Sequence, residues 1–75
     1  MIETIAGNLM AKNPKLVEAL IAAPAKGQYK AIEPYITGQL LAKIGKAESC
    51  YVKKQDLIWA IINVHNGEEA EVLDY

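Results

Sequence analysis

Apolar residues near the amino terminus recur with the spacing of one face of an α-helix, namely Ile2, Ile5, Ala6, Leu9 and Met10. This spacing predicts a first helix over residues 2–12. Asn13 and Pro14 follow as a start signal for a second helix, because asparagine caps helix amino termini and proline fits the first helical position. We expect that second helix over residues 14–23, with Pro24 ending it.

Residues 24–33 mix proline and glycine with two lysines, and they are interpreted as a connector. Pro34 suits the first turn of a third helix, which is predicted over residues 34–45. Gly45 is the expected stop of this helix. Its buried stripe is predicted to consist of four aliphatic residues, Ile36, Leu40, Leu41 and Ile44.

The segment with the clearest start and stop signals lies between Val52 and Gly67. It predicts a fourth helix over residues 53–65, because Asp56 suits the positive end of the helix dipole and Gly67 suits the left-handed conformation beyond a helix end. Its core positions are predicted to be Leu57, Ile58, Ile61 and Ile62. Trp59 lies off this stripe and is expected to border a contact surface.

Together these elements predict an all-α fold, a small single-domain bundle of about four short helices over residues 1–75. Residues 68–75 are expected to form an acidic coil tail, with a short strand or a docked extension as alternatives. A hydrophobic content of 52% against 23% charged residues is a folding composition. In a chain of 75 residues a single core gives only modest stability, so part of the apolar surface is available to a partner.

The cysteine content and the amino terminus bear on the compartment. Cys50 is the single cysteine and has no internal disulfide partner, which fits a reducing compartment. It is expected to be a buried or half-buried small hydrophobe, with a reactive thiol as the alternative. No signal-peptide pattern and no run of about 20 apolar residues occurs, so we expect a cytoplasmic protein that does not enter the membrane.

Charge is distributed unevenly along the chain. Six lysines lie between Lys26 and Lys54 against two glutamates, while residues 68–75 carry four carboxylates. The chain has no arginine. Bidentate recognition of guanine edges and phosphates depends mostly on arginine, so sequence-specific reading of duplex DNA is disfavoured, whereas weak attraction of lysines to a phosphate backbone is compatible with the sequence.

Catalytic and metal-binding chemistry has few candidate residues. Cys50 and His65 lie at opposite ends of one predicted helix, roughly 20 Å apart at about 1.5 Å per residue, so they are not expected to act together. His65 is interpreted as a residue near the helix carboxyl terminus. Neither residue has a second ligand at metal-binding spacing. We therefore expect no catalytic residue, no metal site and no cofactor.

Tyrosines and lysines interleave in the middle of the chain, where Tyr29, Tyr35 and Tyr51 alternate with Lys26, Lys30, Lys53 and Lys54. Rings beside cations are typical of surfaces on which nucleic-acid bases or sugars rest. Tyrosines half-buried at helix ends are the alternative interpretation.

The segment KKQDLIWAII, residues 53–62, resembles a helix of the small N-terminal module of the transcription terminator Rho, a fold related to SAP-type modules. His65 also matches, and Gln39–Gly45 resembles the preceding helix, so the resemblance spans residues 39–65. It implies association with nucleic acid and no catalysis. It also implies backbone contacts by Lys53 and Lys54, with Lys43 and Lys46 opposite.

Two functions therefore remain open. One is a helical module that binds single- or double-stranded nucleic acid weakly, through Lys43, Lys46, Lys53, Lys54 and Tyr51. The other is a protein-interaction module, a phage-type or accessory regulator that dimerises or docks on a larger enzyme through an apolar helical face. The high apolar fraction and near-zero net charge favour the second function, and the resemblance favours the first.

Overall fold

Five α-helices follow one another in the part of the chain that the structure describes. The computed structural model describes the backbone of residues 2–73 and the side chains of residues 2–67. The helices are α1 (Ile2–Lys12), α2 (Pro14–Ala22), α3 (Gln28–Ile32), α4 (Gly38–Glu48) and α5 (Lys54–Leu73), with 3₁₀ turns at Ala25–Gly27 and Glu33–Tyr35. In this part of the chain there is no strand, and no helix is long and apolar enough to cross a membrane. The predicted all-α bundle is confirmed.

The first two helices form where the sequence predicts them. α1 has the predicted bounds, and a backbone hydrogen bond lowers the pKa of Glu3 in its first turn. At the start of α2, the backbone N–H of Leu16 donates to Oδ1 of Asn13 over 3.4 Å, and Pro14 occupies the first helical position. The extended conformation of Ala23 ends α2 one residue earlier than predicted.

The predicted connector over residues 24–33 is wrong, because this segment contains α3. The carbonyl oxygen of Pro24 accepts a hydrogen bond from the N–H of Gly27 over 2.8 Å, and the resulting 3₁₀ turn leads directly into the helix. Gln28 and Ile32, four residues apart, then lie on the buried face of α3. Proline and glycine here shape a turn between helices and do not prevent helix formation after it.

The predicted start of the third helix at Pro34 is also wrong, since Pro34 lies in a 3₁₀ turn and α4 begins at Gly38. The start is fixed by Thr37, whose Oγ1 accepts a hydrogen bond from the N–H of Leu40 over 3.2 Å. A threonine side chain thereby satisfies one of the free amides of the first turn.

Gly45 does not end α4, which continues to Glu48. The helix ends at Ser49, which adopts the left-handed conformation with φ 56°. The N–H of Cys50 returns to the carbonyl oxygen of Gly45 over 3.2 Å, as in Schellman-type helix ends. A Cβ atom on residue 45 would lie 3.1 Å from the carbonyl oxygen of Cys50, so glycine here makes room for the reversed chain.

The last helix, α5, starts at Lys54, one residue after the predicted start, but it does not stop at Gly67. Its backbone is helical to Leu73, and Gly67 does not have a positive φ. The predicted coil over residues 68–75 is therefore wrong for residues 68–73, while Asp74 and Tyr75 lie outside the described residues. A glycine inside a helix costs only about 1 kcal/mol, and the alanine and glutamates that follow are good helix formers.

The core lies where α5 meets α1, α2 and α3. The predicted buried stripe of α5 is confirmed, since Leu57, Ile58 and Ile61 are 0% exposed and Ile62 is 6% exposed. The other helices and the turns contribute Ile5, Ala6, Leu16, Leu20, Ile32 and Ile36. Full burial of one aliphatic side chain contributes about 1.5–3 kcal/mol, and α5 contributes more buried residues to the core than any other helix.

The predicted stripe of α4 is only half covered. Ile36 is buried, but it precedes the helix. Leu40, Leu41 and Ile44 lie on α4 and are packed against the core while remaining partly exposed, so α4 contributes no fully buried side chain. The bundle therefore has a lightly covered side.

Candidate interaction surface

A groove of about 540 Å³ separates α1 from α4, and we call it the α1–α4 groove. Its apolar floor and walls come from both helices and consist of Ile5, Leu9, Leu40, Ile44 and Ala47. The volume lies within the range of about 300–1,000 Å³ that is typical of ligand sites. The groove is open to solvent along its length, so it is suited to hold side chains of a partner.

Polar residues form the rim of the α1–α4 groove, and they are Asn8, Lys12, Asn13, Lys43 and Glu48. Lys12 comes from α1 and Lys43 from α4, so each wall contributes one positive charge. Glu48 lies at the carboxyl end of α4, beside the loop that leads to α5. The charged rim is therefore positive on balance, with its one carboxylate at the end nearest α5.

The groove results from the way in which α4 is attached. The backbone of α4 makes few close approaches to the other helices, although its apolar side chains pack against the core. Since α1 packs mainly against α5, the wall of α1 that faces α4 is also left open. Contiguous exposed apolar surface of this kind is typical of interaction sites.

The predicted nucleic-acid-binding lysines border different parts of the surface. Lys43 lines the α1–α4 groove, and Lys46 is exposed on α4. Lys53 lines a smaller depression between the start of α1 and the loop before α5, together with Tyr51. Nζ of Lys54 lies 3.9 Å from Oε2 of Glu33. Lys54 is thus partly neutralised, and the four lysines do not line one common groove.

Trp59 is 47% exposed, in agreement with its expected position off the buried stripe. Its ring contacts the ring of Tyr29 on α3, with centroids 5.3 Å apart and planes tilted by 46°. Further along the same two helices, Nδ2 of Asn66 donates to Oε1 of Gln28 over 3.1 Å. These contacts join α3 to α5, so part of the Trp59 ring has a structural role.

The loop before α5 differs from expectation. Cys50 is exposed, so the prediction of a buried or half-buried residue is wrong, and Tyr51 is 86% exposed and not half-buried. Both residues follow Ser49, whose left-handed conformation ends α4. His65 is half-buried and lies about 16 Å along α5 from Lys54. Among the described side chains, no three histidine, cysteine or carboxylate residues group as metal ligands.

Sequence reasoning missed the contribution of α1 to the groove. No role was predicted for Asn8 or Lys12, although both lie on the rim of the groove. The feature of the sequence that could have indicated the groove is the short apolar stripe of α4. Because Ile36 precedes this helix, the stripe has only three aliphatic residues. So short a stripe predicts incomplete coverage of its neighbours.

Comparisons with known proteins do not assign this chain to a family. No protein-family model, no curated protein and no solved structure gives a significant match. The resemblance of residues 39–65 to the Rho N-terminal module accordingly remains a prediction.

Proposed function

We propose that the protein is a non-catalytic protein-interaction module that binds a partner helix in the α1–α4 groove. The observation that carries this proposal is the partial exposure of Leu40 and Ile44 along a groove with an apolar floor. Helix-in-groove recognition depends on such a trough, which receives apolar side chains spaced three and four residues apart.

The charges on the rim indicate the character of the partner. Lys12 and Lys43 favour carboxylates beside the apolar face of the partner helix, and Glu48 at one end favours a single orientation. Rim charges mainly accelerate association and select partners, whereas the apolar floor supplies most of the affinity.

Site-specific photo-crosslinking in the native cell tests the proposal. Ala47 is exposed and lines the groove, so benzoylphenylalanine at this position should crosslink to the bound partner. Ala22 at the end of α2 is exposed outside the groove and is the matched control. We expect a crosslinked product from position 47 and none from position 22.

A pair of substitutions links the product to the groove. Ile44→Asp should abolish the crosslink from position 47, whereas Ile21→Asp, at an isoleucine 68% exposed on α2, should preserve it. Circular dichroism checks that both variants remain helical. Equal crosslinking from positions 47 and 22, or a product that survives Ile44→Asp in a folded chain, would contradict the proposal.

Association with nucleic acid is a second candidate, favoured by the exposure of the Tyr51 ring next to Lys53 and Lys54. An exposed ring beside two cations is suited to base stacking with backbone attraction. In this candidate Lys43 and Lys46 add contacts from α4, and binding to single- or double-stranded nucleic acid is weak and independent of sequence.

Fluorescence anisotropy with labelled single- and double-stranded DNA at low salt tests this second candidate. Affinity should fall with salt, with a log–log slope of about −0.7 to −0.9 per neutralised phosphate. Lys53→Gln with Lys54→Gln should weaken binding more than Lys12→Gln with Lys15→Gln, which removes the same charge at exposed lysines outside this surface. Equal losses in both double variants, or no binding at tens of micromolar, would eliminate this candidate.

A further inference from the structure

We infer that the α1–α4 groove is occupied by the acidic carboxyl-terminal segment, residues 68–75, of a second copy of this chain. Two chains would then exchange these segments and close into a symmetric dimer. This inference rests on the proposed function of the groove and names its partner.

The chemistry of the segment complements that of the groove. Residues 68–75 carry four carboxylates, in Glu68, Glu69, Glu71 and Asp74, together with the apolar residues Val72, Leu73 and Tyr75. The groove has an apolar floor with Lys12 and Lys43 on its opposite walls. The tail therefore supplies the two features that the groove requires, apolar side chains and negative charge.

The length of α5 places the occupant in a different molecule. The backbone of α5 is helical from Lys54 to Leu73, which is about 28 Å at 1.5 Å per residue. One end of the groove lies beside the start of α5, since Ile5 lines both the groove and the depression next to Val52 and Lys53. From Ile5 to Asn13 the groove extends only about 12 Å. Residue 68 lies about 21 Å along α5 from Lys54, which is farther than the groove extends from its end beside Val52.

Reciprocal exchange gives a closed assembly. If each chain inserts its tail into the groove of the other, both grooves are filled and both tails are covered, which is the self-complementary geometry of a two-fold dimer. A small helical chain also gains core in this way, because the half-exposed side chains of α4 become buried.

Charge reversal on each side of the contact provides the test, with sedimentation velocity of the full-length chain as the measurement. Variant one carries Lys12→Glu and Lys43→Glu. Variant two carries Glu69→Lys, Glu71→Lys and Asp74→Lys, so that its tail has three lysines against Glu68. In either variant alone, tail and groove have the same sign of charge. We expect the dissociation constant of the dimer to rise at least about tenfold in each.

Mixing the two variants in equal amounts should restore the dimer, because in the mixed dimer both grooves meet tails of opposite charge. A control with Lys15→Glu and Lys26→Glu makes the same charge change at exposed lysines outside the groove and should remain dimeric. A monomeric unmodified chain at several hundred micromolar, or a mixture that stays monomeric, would overturn the inference.

The outcomes also separate this inference from the proposed function. A monomeric chain that crosslinks from position 47 to a different protein would retain the groove as the binding surface and exclude the tail exchange. A dimer whose crosslink from position 47 maps to residues 68–75 of a second copy would support both.

Discussion

α4 and α5 both carry aliphatic residues at helical spacing, but the fold covers them to different extents. α5 buries Leu57, Ile58 and Ile61 completely, whereas α4 buries no side chain completely. The difference lies in the neighbours, since α5 packs against α1 and α3 while α4 faces α1 across a groove. Apolar periodicity therefore predicts that a helix forms. It does not predict how much of the apolar face of that helix is buried by the rest of the chain.

The largest expected effect is the loss of a core side chain from α5. Ile61→Ala should lower the free energy of unfolding by about 2–5 kcal/mol, because it removes fully buried methyl groups and leaves a cavity. The matched change in α4, Ile44→Ala, should cost about 1 kcal/mol or less, since the side chain is already partly exposed. Urea denaturation followed by circular dichroism measures both.

Ile61→Val provides a milder variant if Ile61→Ala is largely unfolded, with an expected cost of about 0.5–1.5 kcal/mol. Similar losses for Ile44→Ala and Ile61→Ala would show that α4 is as tightly packed as α5, and the contrast between the two helices would be lost.

A smaller effect is expected where α3 is joined to α5. Asn66→Ala removes the donor to Oε1 of the Gln28 side chain, a residue that is 9% exposed, and should cost about 1–2 kcal/mol. In a double-mutant cycle, Gln28→Met should recover part of this loss, because no polar atom then remains unpaired. Strictly additive losses in thermal or urea denaturation would argue against the hydrogen bond.

These contrasts show which features the sequence determines locally. The start of α2 follows from Asn13 and Pro14, and the core of α5 follows from apolar spacing alone. The start of α4 was misplaced because Pro34 and Thr37 both suit a helix start, and only the preceding 3₁₀ turn decides in favour of Thr37. Local signals that compete within four residues are resolved by tertiary packing.

The candidate site was less predictable than the fold. The α1–α4 groove depends on the distance between two helices that are far apart in sequence, which periodicity does not determine. Lys43 was predicted as a site residue from the resemblance, whereas residue 12, on the opposite wall, was predicted only as the end of the first helix. Similarly, the sequence did not predict the left-handed conformation of Ser49 at the end of α4 or the exposure of Tyr51 two residues later.

The caps of α2 and α4 extend the comparison to local stability. Thr37→Ala removes the acceptor for the N–H of Leu40 and should destabilise the start of α4 by about 1 kcal/mol. Because α4 is lightly packed, the loss should appear mainly as faster amide hydrogen exchange within α4, with little change in global unfolding.

Asn13→Ala is the matched change in α2, whose Leu16 and Leu20 are buried in the core. Here the loss of the cap should lower global stability, because α2 unfolds only with the rest of the bundle. Global losses of equal size in the two variants would indicate that α4 unfolds cooperatively with the core.

The smallest expected effect concerns Lys54 and Glu33, whose side chains are each 46% exposed and 3.9 Å apart. Lys54→Gln should change the free energy of unfolding by about 0.5 kcal/mol or less, because exposed ion pairs are screened by water and salt. Substitution by glutamate would combine repulsion from Glu33 with a favourable charge at the start of α5, so glutamine gives the clearer result. Urea denaturation at low and high salt measures the change. A decrease of more than 1 kcal/mol in the free energy of unfolding would mean that Lys54 stabilises the packing of α5 against the turn before α4. Weaker nucleic-acid binding by this variant would then result from the structural change.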